Sequence, residues 1–567
     1  MTKAGVLGPE AWAEGPRLEA HSPAADFKVA PQPLDLLLDQ AVAAYPDHRC
    51  LDFLGKAWSY QEIGALVARA ARGLQVLGVA QGTRVGLMLP NCPYFVIAYF
   101  AVLKAGGTVV NYNPLYAPRE LEHQIEDSGT QIMITLDLQA LVPKLLPLCG
   151  RTALKAIVVG RLADILPFPK NILYPWVKRR DIASFAGQKG VIGFSDLLAA
   201  HGHLVPPPID PVRDIAVLQY SGGTTGVPKG AALTHAALHV NAEQVAAWHP
   251  RARPGRERIL GVLPLFHVFG LSAILNYGVR IGAELVLVPR FDLVQVLRAI
   301  TRRRTTMFAG VPTMYAAIRN HDRLRSHDLT SLELCISGGA ALPLEIKTGF
   351  EALTGCTLIE GYGLTESPVV ACNPIGGRHK SGSIGLPLPG TAIEVISLED
   401  RTSLLPPGEI GEICVRGPQI MSGYLCGAGF SADGLEGGRL HTGDVGYLDE
   451  DGYCFIVDRL KEVIICSGFN VYPRMVEEAI YRHPAVAEAA VCGVPDAYRG
   501  ETVKAFVVRR AGSRLSAPEL IAFLEDRLSP IEMPKLIEFR DELPKSAIGK
   551  ILKKDLVARA PGRIEAA

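Results

Sequence analysis

The chain of 567 residues carries 58 basic against 57 acidic side chains, a formal net charge of +1, with 48% apolar and 20% charged residues. That balance supplies no basic face for nucleic acid, and the length allows more than one domain around a sizeable core. Eleven cysteines, an odd number with no C-x-x-C pair, argue against a disulfide framework or a zinc site and for reduced thiols.

The opening MTKAGVLGPEAWAEGPRLEA has no apolar signal core, so a cytoplasmic protein is expected. Further along, ILPFPKNILYPWVKRR (Ile165–Arg180) sets Tyr174 and Trp176 beside Lys178, Arg179 and Arg180. It reads either as a surface loop with a few packed aromatics or as a segment resting on an anionic bilayer. IAVLQY (215–220) predicts a strand, and THAALHVNAEQVAAW predicts a helix with Thr234 as its N-cap.

Between them lies SGGTTGVPKG, read as a loop from strand to helix. Its glycines let backbone N–H groups approach an anion, with Ser221, Thr224, Thr225 and Lys229 as further donors. The P-loop spacing G-x-x-x-x-G-K-[ST] fails, because Lys229 follows Pro228 and Gly230 stands where the hydroxyl should be. A P-loop kinase or ATPase is therefore excluded.

The apolar run Ile259–Val279 contains Pro264, His267 and Asn276, which predicts a buried strand–turn–helix rather than a membrane span. AELVLVP and FDLVQVLRAITRR, TTMFAG and VPTMYAAIRN, LELCISGG and LPLEIKTGFEALTG then alternate strand with helix. Such alternation predicts parallel sheets covered by helices, with ligands at the carboxyl ends of strands. After about residue 380, TAIEVISLED, GEICVRG and GYCFIVDRL read as a smaller β-rich unit. From about 462 a helix opened by Pro473, the strands AVAEAAVCGV and VKAFVVRR, and the helix APELIAFLEDRL predict a small α+β domain.

Four motifs occur in order: QYSGGTTGVPKG, EGYGLTESP, LHTGDVGYLDEDGYCFIVDRLKEVI and ELPKSAIGKILKKDL. Together they resemble the signature series of the adenylate-forming superfamily, which comprises acyl-CoA synthetases, peptide-synthetase adenylation domains and firefly-type luciferases. The likeness runs from about Leu34 to Leu556, and DRLKEVIICSGFNVYPRMVEEAI is most similar to bacterial long-chain fatty-acid–CoA ligases. The resemblance implies a large N-terminal α/β domain of helix-covered sheets over 1–459, with the β-rich subdomain at about 380–459. A small, mobile α+β C-terminal lid over 460–567 would turn on a hinge at Lys461.

The implied reaction uses ATP, Mg²⁺ and CoA to turn a carboxylic acid into acyl-AMP and then acyl-CoA. Ser221, Gly222, Gly223, Thr224, Thr225, Gly226 and Lys229 would cover the phosphates. Gly338, Gly339 and Ala340 would lie against adenine, as would Glu360, Gly361, Tyr362 and Gly363 with Tyr362 stacked on it. Thr365 would contact the α-phosphate and Glu366 would hold the metal. Asp444, Ile456 and Arg459 would meet the ribose side. Lys550 would be the catalytic cation of the first half-reaction, with Lys545 the weaker candidate and Lys553 and Lys554 as surrounding surface lysines. Ser467, Gly468 and Phe469 would receive CoA, and His267, Val268 and Phe269 would line the acyl site.

The apolar acyl region offers no obvious Lys or Arg for a charged tail, which points to an aliphatic acid rather than an amino acid; a medium or long chain is what the resemblance to fatty-acid–CoA ligases implies. Dicarboxylate- or aryl-CoA ligases, an acyl-AMP ligase loading a carrier protein, and a non-catalytic binding protein are the competing readings. The resemblance is compatible with a homodimer and with peripheral contact on the inner face of a membrane.

Overall fold

The computed structural model describes residues 27–566 except 186, 221–227, 322–326, 428, 467–468, 497–498, 547–550 and 559–563. Two compact units emerge, one of Met1–Ala392 with Arg416–Leu440, the other of Ile393–Val415 with His441–Ala567. The first unit contains two nine-stranded sheets. Short, almost continuous apolar runs such as VGLM, TVVN and IMITL are buried along their length, as strands covered on both faces must be.

In one sheet Ile215–Tyr220, Thr108–Asn111, Arg84–Met88, Ile132–Leu136, Ala156–Gly160 and Val191–Gly193 run parallel. In the other the parallel set is Thr357–Tyr362, Leu334–Ser337, Met307–Gly310, Arg258–Gly261, Glu284–Leu287 and Arg49–Phe53. Helix Pro93–Lys104 is buried at every position before Lys104, the pattern of a helix enclosed on all sides. Thr234 caps His235–Trp248 by accepting from the Ala237 N–H at 3.1 Å, as its sequence predicts.

One local expectation changes. Gly230–Thr234 is a strand antiparallel to Ile215–Tyr220, so the glycine-rich segment joins two strands of a hairpin before the helix begins. GAALT is too short and too plain for its sequence to reveal a strand. The aromatic segment also differs from a loop: Lys170–Val177 is helical. Ile259–Val279 holds a strand, a turn and a helix interrupted by the π-helical turn Leu271–Asn276. Among the described residues no helix is long and apolar enough to cross a membrane.

The second unit carries Gly411–Arg416 between Ala392–Ile396 and Arg439–Leu448, and Arg439–Leu448 pairs antiparallel with Cys454–Arg459. A further sheet contains Val486–Asp496, Gly500–Arg509 and Leu536–Arg540, packed against Pro473–Tyr481 and Ala517–Leu524 around Val476, Ile480, Val507 and Leu520.

His235 ties the start of the described chain to this framework, its Nδ1 accepting from the Leu34 N–H at 3.1 Å. Burial lowers its pKa to about 4, against a smaller opposing pull from Asp214. The folded value lies below the unfolded one near 6.5, so this contribution is complete above pH 6.5 and is lost as pH falls towards 4. Over that interval the wild type should lose about 3 kcal/mol more unfolding free energy than His235→Gln. Urea titrations at both pH values check this; equal losses in the two proteins would contradict it.

Candidate active site

The site in the first unit is built where two parallel strands end side by side. Ser337 is in register with Glu360, and beyond Ser337 the chain turns through Gly338, Gly339 and Ala340. A Cβ on Gly338 would lie 3.0 Å from the Phe269 ring and 3.2 Å from the Gly361 carbonyl oxygen, so three sequence-predicted segments meet there. Gly339 has φ +78°, where a side chain is strained. The buried Glu360 carboxylate accepts from the Leu342 N–H at 3.1 Å and so closes the turn.

After Tyr362 the chain doubles back so closely that a Cβ on Gly363 would fall 1.7 Å from the Pro368 carbonyl oxygen. Leu364 N–H donates to the Ser367 carbonyl at 2.8 Å, and Ser367 N–H returns a bond at 3.3 Å. This tight turn presents Thr365 and Glu366. The Thr365 side chain is half-buried, and its hydroxyl makes no hydrogen bond to the described residues.

Glu366 is braced from a different part of the sequence. The Tyr424 hydroxyl donates to its Oε1 at 2.6 Å, and the Met421 N–H donates to its carbonyl at 2.8 Å. Burial and then the adjacent Glu366 charge hold the Tyr424 phenol far above its ordinary pKa, so it remains a donor. Lys229 Nζ lies 5.1 Å over the Tyr424 ring and 3.1 Å from Asp433 Oδ2. A phosphate approaching Lys229 must therefore compete with Asp433. The resemblance places the metal on Glu366, so Tyr424→Phe should raise the KM for the ATP–magnesium complex about fivefold with kcat changed less, the effect of one lost charge-assisted hydrogen bond. Steady-state kinetics at saturating acid check this; unchanged KM would contradict it.

The segment LPLFHVFG is held by buried polar side chains. Gln219 Nε2 donates to the Phe266 carbonyl at 2.8 Å, while Asn111 Nδ2 donates to Gln219 Oε1 at 2.9 Å. Asn91 Nδ2 donates to the Gly261 and Leu263 carbonyls, and its Oδ1 accepts from the Leu265 N–H. Within that frame His267 is half-buried, its Nδ1 accepting from the Phe269 N–H at 3.3 Å, and Val268 is buried. Sequence reasoning passed over Gln219, Asn111 and Asn91. Their only signal was a polar residue inside or beside an apolar run.

In the second unit Asp444 faces Arg459 across neighbouring strands, with Arg459 Nε 3.1 Å from its Oδ1, and Ile456 pairs with Gly446. Glu412 steers the turn that leads to Asp444. Its Oε1 accepts from the Gly443 N–H at 3.1 Å, and its Oε2 lies 3.0 Å from His441 Nδ1 and 3.3 Å from the Arg401 guanidinium. Glu412, Cys414 and His441 have metal-ligand chemistry and proximity. The Arg401 cation and the Gly443 N–H occupy Glu412 instead, which makes the group a brace for Asp444. The middle residue of the VDR motif, Asp458, caps the helix Pro473–Tyr481 by accepting from the Arg474 N–H at 2.7 Å.

Lys461 lies in a turn closed by the Glu462 and Val463 N–H groups on the Arg459 carbonyl. Phe469 is 62% exposed and pairs with Cys466 between two short antiparallel strands. Lys553 is no surface lysine: its Nζ sits 3.0 Å from Glu462 Oε2 and 2.9 Å from Glu477 Oε1, largely out of solvent. The expectations for Ser221, Gly222, Gly223, Thr224, Thr225, Gly226, Ser467, Gly468 and Lys550 lie outside the described residues.

The family model described as AMP-binding enzyme matches residues 38–425, and that of the AMP-binding enzyme C-terminal domain matches residues 475–550. The chain belongs to the AMP-binding enzyme family.

Among its relatives, the long-chain-fatty-acid–CoA ligase of Bacillus subtilis is 46% identical over 528 residues, 92% of this chain and 94% of that protein. A feruloyl-CoA synthase of Amycolatopsis is 37% identical over 509 residues, 89% and 94% of the two chains. The solved structure of ATP-bound MatB from Rhodopseudomonas palustris is similar with a TM-score of 0.81 at 28% identity, covering 93% of this chain and 98% of that one.

In this AMP-binding enzyme the donor set at Glu366 suits a hard divalent cation. Its carboxylate is fixed by Tyr424 through one oxygen and makes no ion pair with the described residues. A carboxylate held in place without a protein cation is the oxygen ligand that Mg²⁺ takes, usually with several waters.

Proposed function

We propose that the chain is a fatty-acid–CoA ligase that activates a medium- or long-chain carboxylic acid with ATP. In the first half-reaction the carboxylate oxygen attacks the α-phosphorus and the bond to pyrophosphate breaks, leaving acyl-AMP. In the second, the CoA thiol attacks the acyl carbonyl, loses its proton and expels AMP. Both nucleophiles come from substrates, so the protein supplies position and charge.

Thr365 offers its hydroxyl to the α-phosphate. Magnesium bound through Glu366 would offset phosphate charge. Tyr362 and the Gly338–Ala340 turn flank adenine, while Asp444, acceptor-only when ionised, takes the ribose hydroxyls with Arg459 beside it. Lys550 delivers the cation for acyl-AMP formation. Residues 460–567 then turn about Lys461, bringing the Ser467–Phe469 segment to the thioester step.

One observation carries the reading: the 46% identity to a long-chain-fatty-acid–CoA ligase over 92% of the chain. Aryl acids form a second reading, favoured by the feruloyl-CoA synthase relative. AMP release measured with and without CoA on monocarboxylates from acetate to stearate, several dicarboxylates and cinnamates separates them. Turnover that peaks on aliphatic chains of eight carbons or more and requires CoA for completion is the expected result. A preference for cinnamates would replace this reading with the second.

A further inference from the structure

Helix Lys170–Val177 buries none of its residues. Around it, Phe168, Ile172, Leu173, Trp176 and Val177 are 78%, 56%, 53%, 82% and 74% exposed. Single exposed apolar residues are ordinary; five within ten positions form a patch that marks an interaction surface. Four cations, Lys170, Lys178, Arg179 and Arg180, share the segment 165–181 with a single acid, Asp181, which lies 3.3 Å from Lys178. Behind the helix is a cavity of about 390 Å³. Its walls include Phe53, Leu136, Leu166 and Leu173, with Lys170 and Lys178 as its charged members.

We propose that this helix docks the enzyme on an anionic lipid surface and that the cavity behind it receives an acyl chain leaving the bilayer. An aromatic and aliphatic face beside a basic cluster is the composition that inserts into a headgroup layer. The apolar residues enter the acyl boundary, and the cations meet anionic headgroups. Each basic side chain near such a surface favours the bound state roughly fivefold, an effect that salt screens. A protein partner would bury the same patch but would not call for an adjacent cavity lined almost wholly by apolar groups. There the chain of the entering acid would contact Phe53 and Leu136. The cavity's role rests on the reading of the chain as an activator of aliphatic acids; the docking does not.

The test is flotation of the full chain with vesicles of phosphatidylglycerol or of phosphatidylcholine, comparing wild type with Phe168→Glu/Trp176→Glu. Both side chains point into solvent, so the substitutions leave the core intact. Wild type should float with phosphatidylglycerol, about tenfold less with phosphatidylcholine, and about tenfold less at about 0.5 M salt. The variant should lose binding to phosphatidylglycerol at least tenfold. It should turn over dissolved octanoate as wild type does, yet convert vesicle-borne palmitate more slowly. Equal flotation of variant and wild type, equal wild-type binding to the two lipids, or no flotation at all would overturn the docking. Equal palmitate conversion by the two proteins would overturn the cavity's role. Failure of wild type to activate octanoate or palmitate in detergent would remove the ligase reading and leave the flotation result standing.

Discussion

Lys550→Ala is expected to lower acid-dependent acyl-AMP formation about a thousandfold while sparing most of the transfer from ready-made acyl-AMP to CoA. The first half-reaction concentrates negative charge: a carboxylate must approach a phosphate that already carries several. A positioned cation removes part of that repulsion in the transition state, and the second half-reaction has no such need.

Two other lysines of the motif have partners of their own. Lys545 is bridged to Ile551 and ion-paired with Glu488, and Leu552 N–H donates to the Pro544 carbonyl at 2.8 Å. Lys553 is held by Glu462 and Glu477. Both are engaged within the second unit, and it is the motif's likeness to the adenylate-forming series that assigns the substrate-facing cation to Lys550. Lys545→Ala should stay within about threefold of wild type, the effect of a lost partly exposed pair. Pyrophosphate exchange distinguishes the two, and near-normal exchange in Lys550→Ala would remove the assignment.

Lys553→Met should cost the second unit about 3 kcal/mol, because it leaves two carboxylates largely buried without their cation. Burial alone would lower the Lys553 pKa. The nearby Glu477, Glu462 and Asp458 outweigh that and hold it above its ordinary value. A raised lysine pKa stabilises fully below the unfolded value, so the contribution persists through neutral pH and is lost only as pH rises through the folded value.

The same ammonium joins the residue after Lys461 to the helix that begins three residues beyond Lys550. Its loss should therefore also lower acyl-AMP formation, about tenfold. Urea unfolding and pyrophosphate exchange measure the two effects. Glu477→Gln added to Lys553→Met should recover part of the stability by removing the stranded charge. A single variant within about 0.5 kcal/mol of wild type would contradict the role.

The alternation of strand and helix was legible because it depends on local composition. Ile215–Tyr220, the Thr234 cap and the strands and helices from Glu284 to Thr354 fall where the apolar runs and caps place them. The site turns were legible through glycine, since Gly363 has no room for a side chain and Gly338 has very little. What escaped was set by distant partners. Tyr424 reaches Glu366 across 58 positions, and Gln219 reaches the Phe266 carbonyl across 47. Lys553 belongs to a lysine-rich string that reads as surface, and only the fold brings Glu462 and Glu477 to it. The strand Gly230–Thr234 was hidden because a run of five small and apolar residues carries no period.

The central claim, that this chain activates an aliphatic acid through an acyl-adenylate, is tested most directly by pyrophosphate exchange into ATP with dodecanoate and no CoA. Exchange that requires both the acid and magnesium, followed by AMP and dodecanoyl-CoA in equal amounts once CoA is added, is the predicted result. ADP and phosphate as products, or no exchange until CoA is present, would contradict it.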